Sequence, residues 1–489
     1  MNQDPTREEV VVAQARLPLA DPHDCTDAAD ELSLYEALYD TLVRRAGGGG
    51  GAGYVPRLAT AWAVSDDART WTFRLRAGVA FHDGTPCDAQ AVALSLRRMA
   101  REDKGYTLGA PAVWRQYLGD AIVEAPDAGT LVIRLDAPMA DLLDVLVQGY
   151  VVAPSALPAY DAGDTRRPCG TGPYRLVEES DAAVSMARVP GHFDGEPANE
   201  RIRFVREPDR AARLAMVRAG DAQVATNLDV AASADLAKDG ATRVVSLAPV
   251  AIIYLLNAAR GPLADARLRR ALALALDREA LIAEVVPGAA RPLHGFVSPL
   301  HFGAGTAPAR ERDPQAARAL LAEAGFAEGL TLGLDCPTRL PDEAERLTAA
   351  LGRQLAAIGV TLDVHVHEDR EAYAHMVRRK EIRDLCVFDS SPMSTYRVLV
   401  EKLDARVRGS WWQGYRNAEV EALIDRARVT VDANARSALY AGAYALLQDD
   451  PAWLCLYNPL KATGISGRHP DLALPVDTVL DVARLPALR

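Results

Sequence analysis

The residues with the most chemistry to offer lie in two stretches of the last quarter of the chain. The first reads Phe388-Asp389-Ser390-Ser391-Pro392-Met393-Ser394-Thr395-Tyr396-Arg397. An apolar run ends here on an acid and opens into hydroxyls. In open α/β folds, ligands sit beyond the carboxyl ends of strands. Asp389 could take an ammonium there, and the Arg397 fork could grip a carboxylate in bidentate fashion. Ser390, Ser391 and Tyr396 would add hydrogen bonds. Two plainer readings stand beside these. Asp389 could cap the 390–395 turn, and Arg397 could pair with Glu401, one helical turn away.

The second stretch is Trp411-Trp412-Gln413-Gly414-Tyr415. Aromatic walls suit an enclosed small ligand, and they also suit plain packing between a helix and a loop. Tyr106 and Trp114 are further wall candidates, while alternation along its strand turns Tyr254 toward the core. An acid, an arginine and aromatic walls together point to a small zwitterion.

Other chemistry is thinly represented. His365 and His367, two apart on an expected strand, share a face that could be half a metal site or a solvated edge. His82, His294 and His301 could touch a metal chelate, but nothing in the sequence gathers them. The six cysteines contain no C-x-x-C pair, which argues against zinc or iron–sulfur sites. An oxidising compartment would permit one disulfide. The glycine run 47–51 lacks the Lys-Ser or Lys-Thr of a phosphate loop and reads as a hairpin tip. The serines lack a nucleophile elbow, and there is no H-E-x-x-H. The residues thus favour binding over catalysis, with an extracellular hydrolase as the other class and with no cofactor implied.

At 489 residues, the chain is long enough for two or three domains. Its net charge of -11, without a basic cluster, excludes nucleic acid as a natural partner. No apolar run is long enough to span a bilayer. A monomer is expected.

Positioning elements follow from periodicity. Trp71, Phe73 and Leu75 alternate with polar residues as in a half-buried strand. The acids at 66–67 turn it against a strand ending at Val64. Asp88 caps a helix carrying Val92, Leu96 and Met99. A helix is expected over 29–42, a strand pair over 118–124 and 130–135, and an edge strand over 151–154. Farther on, 331–335, a helix over 342–358 and 361–366 form a β-α-β unit. A helix over 368–379, a buried strand over 383–388 and a returning strand over 453–457 follow.

Four segments carry a family likeness. These are the 58–99 hairpin and helix with its Phe81-His82-Asp83-Gly84 turn, Cys169-Gly-Thr-Gly-Pro-Tyr174, Leu255-Leu-Asn257 with Arg267-Leu-Arg-Arg-Ala-Leu272, and the segment Asp313-Pro-Gln-Ala-Ala-Arg. In this order they resemble the extracellular solute-binding proteins, family 5, of ABC importers, the family of dipeptide-, oligopeptide- and nickel-binding proteins. The resemblance implies an α/β periplasmic-binding-protein fold of type II, in its large three-domain variant. Residues 1–53, 165–249 and 458–489 would form the first lobe, 54–164 an accessory domain inserted in it, and 250–457 the second lobe.

The resemblance also implies a short-peptide or opine ligand held between lobes that close on it. A metal chelate or an oligosaccharide would be the alternative. Membrane permease subunits would be the partner. The location would be periplasmic or extracytoplasmic, with the leader removed. Peptide binders of this family hold the ligand ammonium with an aspartate in a loop like that of Asp389, although their Asp-Tyr-Pro-Asp-Pro run is absent here. The loop after the first strand borders the family's cleft, which adds Leu17 to the candidate residues.

Overall fold

The computed structural model describes residues 9–46, 53–107, 112–305, 311–339, 341–469, 474–475 and 478–488. The glycine run 47–51 lies outside them. The chain forms two compact units. One is built from residues up to Ser246 together with those from Lys461 onward, and the other from Leu247–Leu460.

In the second unit, the strands run in the order Val360–His367, Leu330–Pro337, Leu385–Ser390, Ala251–Leu256 and the first part of Trp453–Ile465. The first three are mutually parallel, and Ala251–Leu256 is antiparallel to both of its neighbours. The run Ala-Ile-Ile-Tyr-Leu-Leu at 251–256 is wholly apolar because both faces of the strand are covered. Ile253, Leu255, Cys386 and Phe388 join one core. Tyr254, Leu256, Leu385 and Val387 join the other. The β-α-β reading holds, with its helix at Ala344–Ala356. The carboxyl ends of the three parallel strands therefore share one edge, at Pro337, His367 and Ser390.

In the first unit, Glu9–Gln14 is parallel to Arg201–Arg206 and to Val224–Leu228. Beyond them lie the antiparallel strands Ala183–Arg188 and Tyr174–Glu179. A separate four-stranded antiparallel sheet has the order Ala59–Val64, Thr70–Leu75, Thr130–Arg134, Ile122–Asp127. Val64 pairs with Trp71, and Asp88 Oδ1 caps the Ala89–Met99 helix by accepting from Ala91 N. Two expectations fail. The first helix is Ala29–Leu38, because Tyr39 turns extended. Residues 151–154 form no strand, since Val151 N and Ala153 N donate to Asp40 O and Cys169 O in irregular backbone.

The turn at 81–84 and the Gly-Thr-Gly-Pro-Tyr segment meet at the end of the 29–38 helix. His82 N donates to Gly170 O at 2.9 Å, and His82 Nε2 donates to Gly172 O at 3.0 Å. Gly172 N donates to Leu38 O. Thr171 Oγ1 donates to the fully buried Asp40, which also binds Arg57 and His192. Burial opposes ionisation of Asp40, but Arg57, His192 and Thr171 together outweigh it and hold the carboxyl below the usual range. The segment is a backbone joint, and no phosphate-cradling helix follows it.

A second buried cluster links the 17–27 loop to the 89–99 helix. Arg98 donates to His23 Nδ1 at 2.8 Å, so that nitrogen carries a lone pair and Nε2 donates to Tyr150 O at 3.0 Å. Burial holds His23 down to about 4, whereas burial and the neighbouring Asp21 push Asp24 up to about 6. These act oppositely on stability. The depressed His23 contributes stability that is complete above its unfolded value of 6.5 and is lost as pH falls toward 4. The raised Asp24 contributes stability below 3.8 that is lost as pH rises through 6. Between pH 4 and 6 the two largely offset each other. Asp24→Asn removes one side, so the variant should lose roughly 3 kcal/mol between pH 6.5 and pH 4 through His23. Urea midpoints at both pH values check this, and an unchanged pH slope would count against it.

Candidate functional site

The site is built at the carboxyl edge of the second unit's parallel strands. Asp389 and Ser390 are the last residues of the 385–390 strand, not the start of the loop. Asp389 is about a third exposed and Ser390 is buried. The loop that follows is held from outside. His301 Nε2 donates to Pro392 O at 2.8 Å, and Thr395 Oγ1 donates to Phe302 O. Ser394 Oγ accepts from Arg397 N and caps the Thr395–Lys402 helix. Ser391 is half-buried in this loop.

Arg370 is the residue that sequence reading missed. It opens the Arg370–Arg378 helix, three residues after the 360–367 strand ends, with Asp369 as the cap. Its side chain is 7% exposed, and its Nη2 stands 3.7 Å from Asp389 Oδ1. The guanidinium lies 5.1 Å from the Phe388 ring centre and 5.5 Å from that of Tyr373. Its Nε and Nη1 are buried without a hydrogen-bond partner. Aromatic faces compensate such a cation only in part. Arg370 and Asp389 thus form a charge pair at the edge of a strand, close to each other but beyond direct hydrogen-bond reach.

Arg397 lies deeper than Asp389. It lies in a helix whose every residue is buried, and its Nε is 3.5 Å from Glu401 Oε1 with both side chains about 5% exposed. The i,i+4 partner foreseen for it is real, but the pair is interior. Glu401 thus stands beside it within its own helix. Tyr396 is also buried, with the Arg428 guanidinium over its ring at 5.7 Å.

The aromatic cluster follows its plainer reading. Trp411 packs on Phe388 at 4.7 Å between ring centres, with Arg378 at 4.9 Å over its ring. It walls the underside of the Asp389 strand end. Lys380 Nζ donates to Gly409 O and Ser410 O and fixes that loop. Trp412 spends its Nε1–H on Tyr415 O. Tyr254 is fully buried and bonds Thr348, as alternation implied.

The candidates Trp114, Tyr106 and Leu17 lie in the first unit. Trp114 is 1% exposed, and its Nε1 donates to His23 O, so it is core and not an open wall. Tyr106 is 45% exposed, and its backbone, not its ring, is engaged, with Cys25 and Asp24. Leu17 is half-buried against the first unit's core. His82, His294 and His301 are engaged separately, with Gly172, Glu279 and Pro392. All six cysteines are free thiols. Among the described residues, no group of three or more His, Cys, Asp or Glu is placed to hold a metal ion. None of their helices is long and apolar enough to cross a membrane.

Comparison with known proteins gives concordant likenesses. The chain is 29% identical over 369 residues to the glutathione-binding protein GsiB of Salmonella paratyphi A, covering 72% of this chain and 68% of that one. Two solved structures share the fold. The periplasmic binding protein DppA of Helicobacter pylori, in complex with the peptide STSA, has a TM-score of 0.75 at 21% identity and covers 94% of each chain. AgaA of A. tumefaciens R10, in complex with agropinic acid, has a TM-score of 0.76 at 20% identity and covers 94% of this chain and 93% of that one. The family model of the bacterial extracellular solute-binding proteins, family 5, matches residues 53–397. With more than half of its length matched, the chain belongs to the bacterial extracellular solute-binding proteins of family 5.

Proposed function

We propose that this protein captures a small zwitterion, a short peptide or a peptide-like amino-acid conjugate, and hands it to the permease of an ABC importer outside the cytoplasm. The observation that carries the reading is the Arg370–Asp389 pair, 3.7 Å apart at the carboxyl edge of the second unit's parallel strands. A ligand ammonium goes to Asp389, and a ligand carboxylate goes to Arg370, which keeps two buried N–H groups without acceptors. Each charge is removed from water with a partner, which offsets the cost of burying it. The glutathione-binding relative, the peptide-bound neighbour and the agropinic-acid-bound neighbour support this ligand class. The role is reversible binding, with ATP hydrolysis left to separate subunits.

Native mass spectrometry of the purified protein tests the proposal. The expected result is a bound species that, once released by denaturation, carries both an amine and a carboxyl group. Release of a neutral sugar would sink it.

A further inference from the structure

We infer that His365 and His367 form a two-imidazole site for a borderline divalent transition-metal ion such as Ni²⁺, Cu²⁺ or Zn²⁺. Both lie on the 360–367 strand at the outer edge of the second unit's sheet, on one face. Their ring centres are 4.5 Å apart, with the planes at 86°. Two imidazoles sharing one ion at about 2.0–2.1 Å per nitrogen, near a right angle, bring their ring centres to roughly 4.5 Å.

The second observation is what holds His367. Asp335 is 2% exposed, and its Oδ2 accepts from Arg383 N at 2.8 Å. Its Oδ1 accepts from His367 Nε2 at 2.9 Å. A carboxylate only accepts, so Nε2 carries the proton of the neutral ring. Nδ1 is then left with the lone pair. A buried carboxylate that fixes the tautomer of a histidine is the support that metal-bound imidazoles use. The Tyr373 ring, 5.2 Å from that of His367, limits its rotation. His365 is exposed, so an ion can reach the pair. The protein supplies two ligands, and water or a solute fills the other positions. Binding is therefore exchangeable.

Calorimetric titration of Ni²⁺ into protein without a histidine tag tests the site. His365→Ala and His367→Ala should each weaken one binding event at least tenfold. Asp335→Asn should weaken it about tenfold while leaving both imidazoles in place. His375→Ala, which alters a separate histidine beside Glu371, should leave it unchanged. Circular dichroism of each variant establishes that it is folded. Binding of equal strength in the wild type and both histidine variants would mean adventitious surface binding and would overturn the assignment. So would the absence of any Ni²⁺ heat in the wild type, which would leave the two rings merely packed edge to face.

Discussion

Arg370→Ala should weaken binding of a zwitterionic ligand by roughly 2–5 kcal/mol, about 30-fold to several thousand-fold, and Asp389→Ala by a similar amount. Each substitution leaves one ligand charge facing a partner that is gone, in a site where water replaces it poorly. The double variant should lose less than the sum, because the two groups stand 3.7 Å apart and each single substitution also strands the other. Arg370→Lys should not restore affinity, since an ammonium lacks the planar fork that pairs a carboxylate in bidentate fashion. Arg397→Ala separates the two arginines. It removes an interior cation beside the buried Glu401, so the loss should appear as a lower unfolding midpoint, on the order of 3 kcal/mol. Calorimetry for affinity and urea melts for stability distinguish these outcomes. An Arg397→Ala protein of full stability but lost affinity would reverse the assignment of roles.

Gly172→Ala should cost the first unit about 3 kcal/mol or more. A Cβ at Gly172 would stand 2.5 Å from Ala37 O and 2.6 Å from Tyr39 N, and closer still to the Leu38 carbonyl carbon. All three are backbone atoms at the end of the 29–38 helix, so no rotamer change can make room. Relief requires the segment to move away. That breaks Gly172 N to Leu38 O and His82 Nε2 to Gly172 O, and it disturbs Thr171 on the buried Asp40. Near-wild-type expression and an unchanged urea midpoint would show that the joint is looser than this packing implies.

That joint also explains what could be read in the sequence and what could not. The segments that carry the family likeness prove to be structural fasteners. His82 and the 170–172 glycines lock one another. Asn257 Nδ2 donates to Ile382 O and Arg383 O just before the central strand. Arg269 donates to Leu263 O, Ala264 O and Pro451 O in the interior. Their partners are backbone atoms, several of them far along the chain, 90 residues away for His82, 125 for Asn257 and 182 for Arg269. Strands, helices and caps were legible because their partners are near: Asp88, Asp265 and Asp313 all cap where short-range chemistry puts them.

The ligand chemistry is different. Asp389 was legible because it ends an apolar run. Arg370 faces it only because the 330–337 strand lies between the 360–367 and 385–390 strands in the sheet, an ordering that no local pattern encodes. The available signal was the position itself, the first helical residue beyond a parallel strand, where the rule that selected Asp389 applies equally. Arg397 shares Asp389's loop in sequence. Burial of the whole 395–402 helix, set by distant packing, turned its i,i+4 partner into an interior ion pair. The exposed Tyr106 and the fully packed Trp114 show the same limit, since ring type says nothing about which neighbours cover it.

The central claim is that one solute is held by its two opposite charges, and blocking those charges one at a time tests it most directly. A dipeptide or glutathione that binds the wild-type protein is titrated alongside its N-acetylated and C-amidated forms. The charge-pair account predicts that each blocked form binds at least about 30-fold more weakly than the free zwitterion, and that acetylation costs nothing further in Asp389→Ala nor amidation in Arg370→Ala. Equal affinity for the free and blocked forms would contradict it.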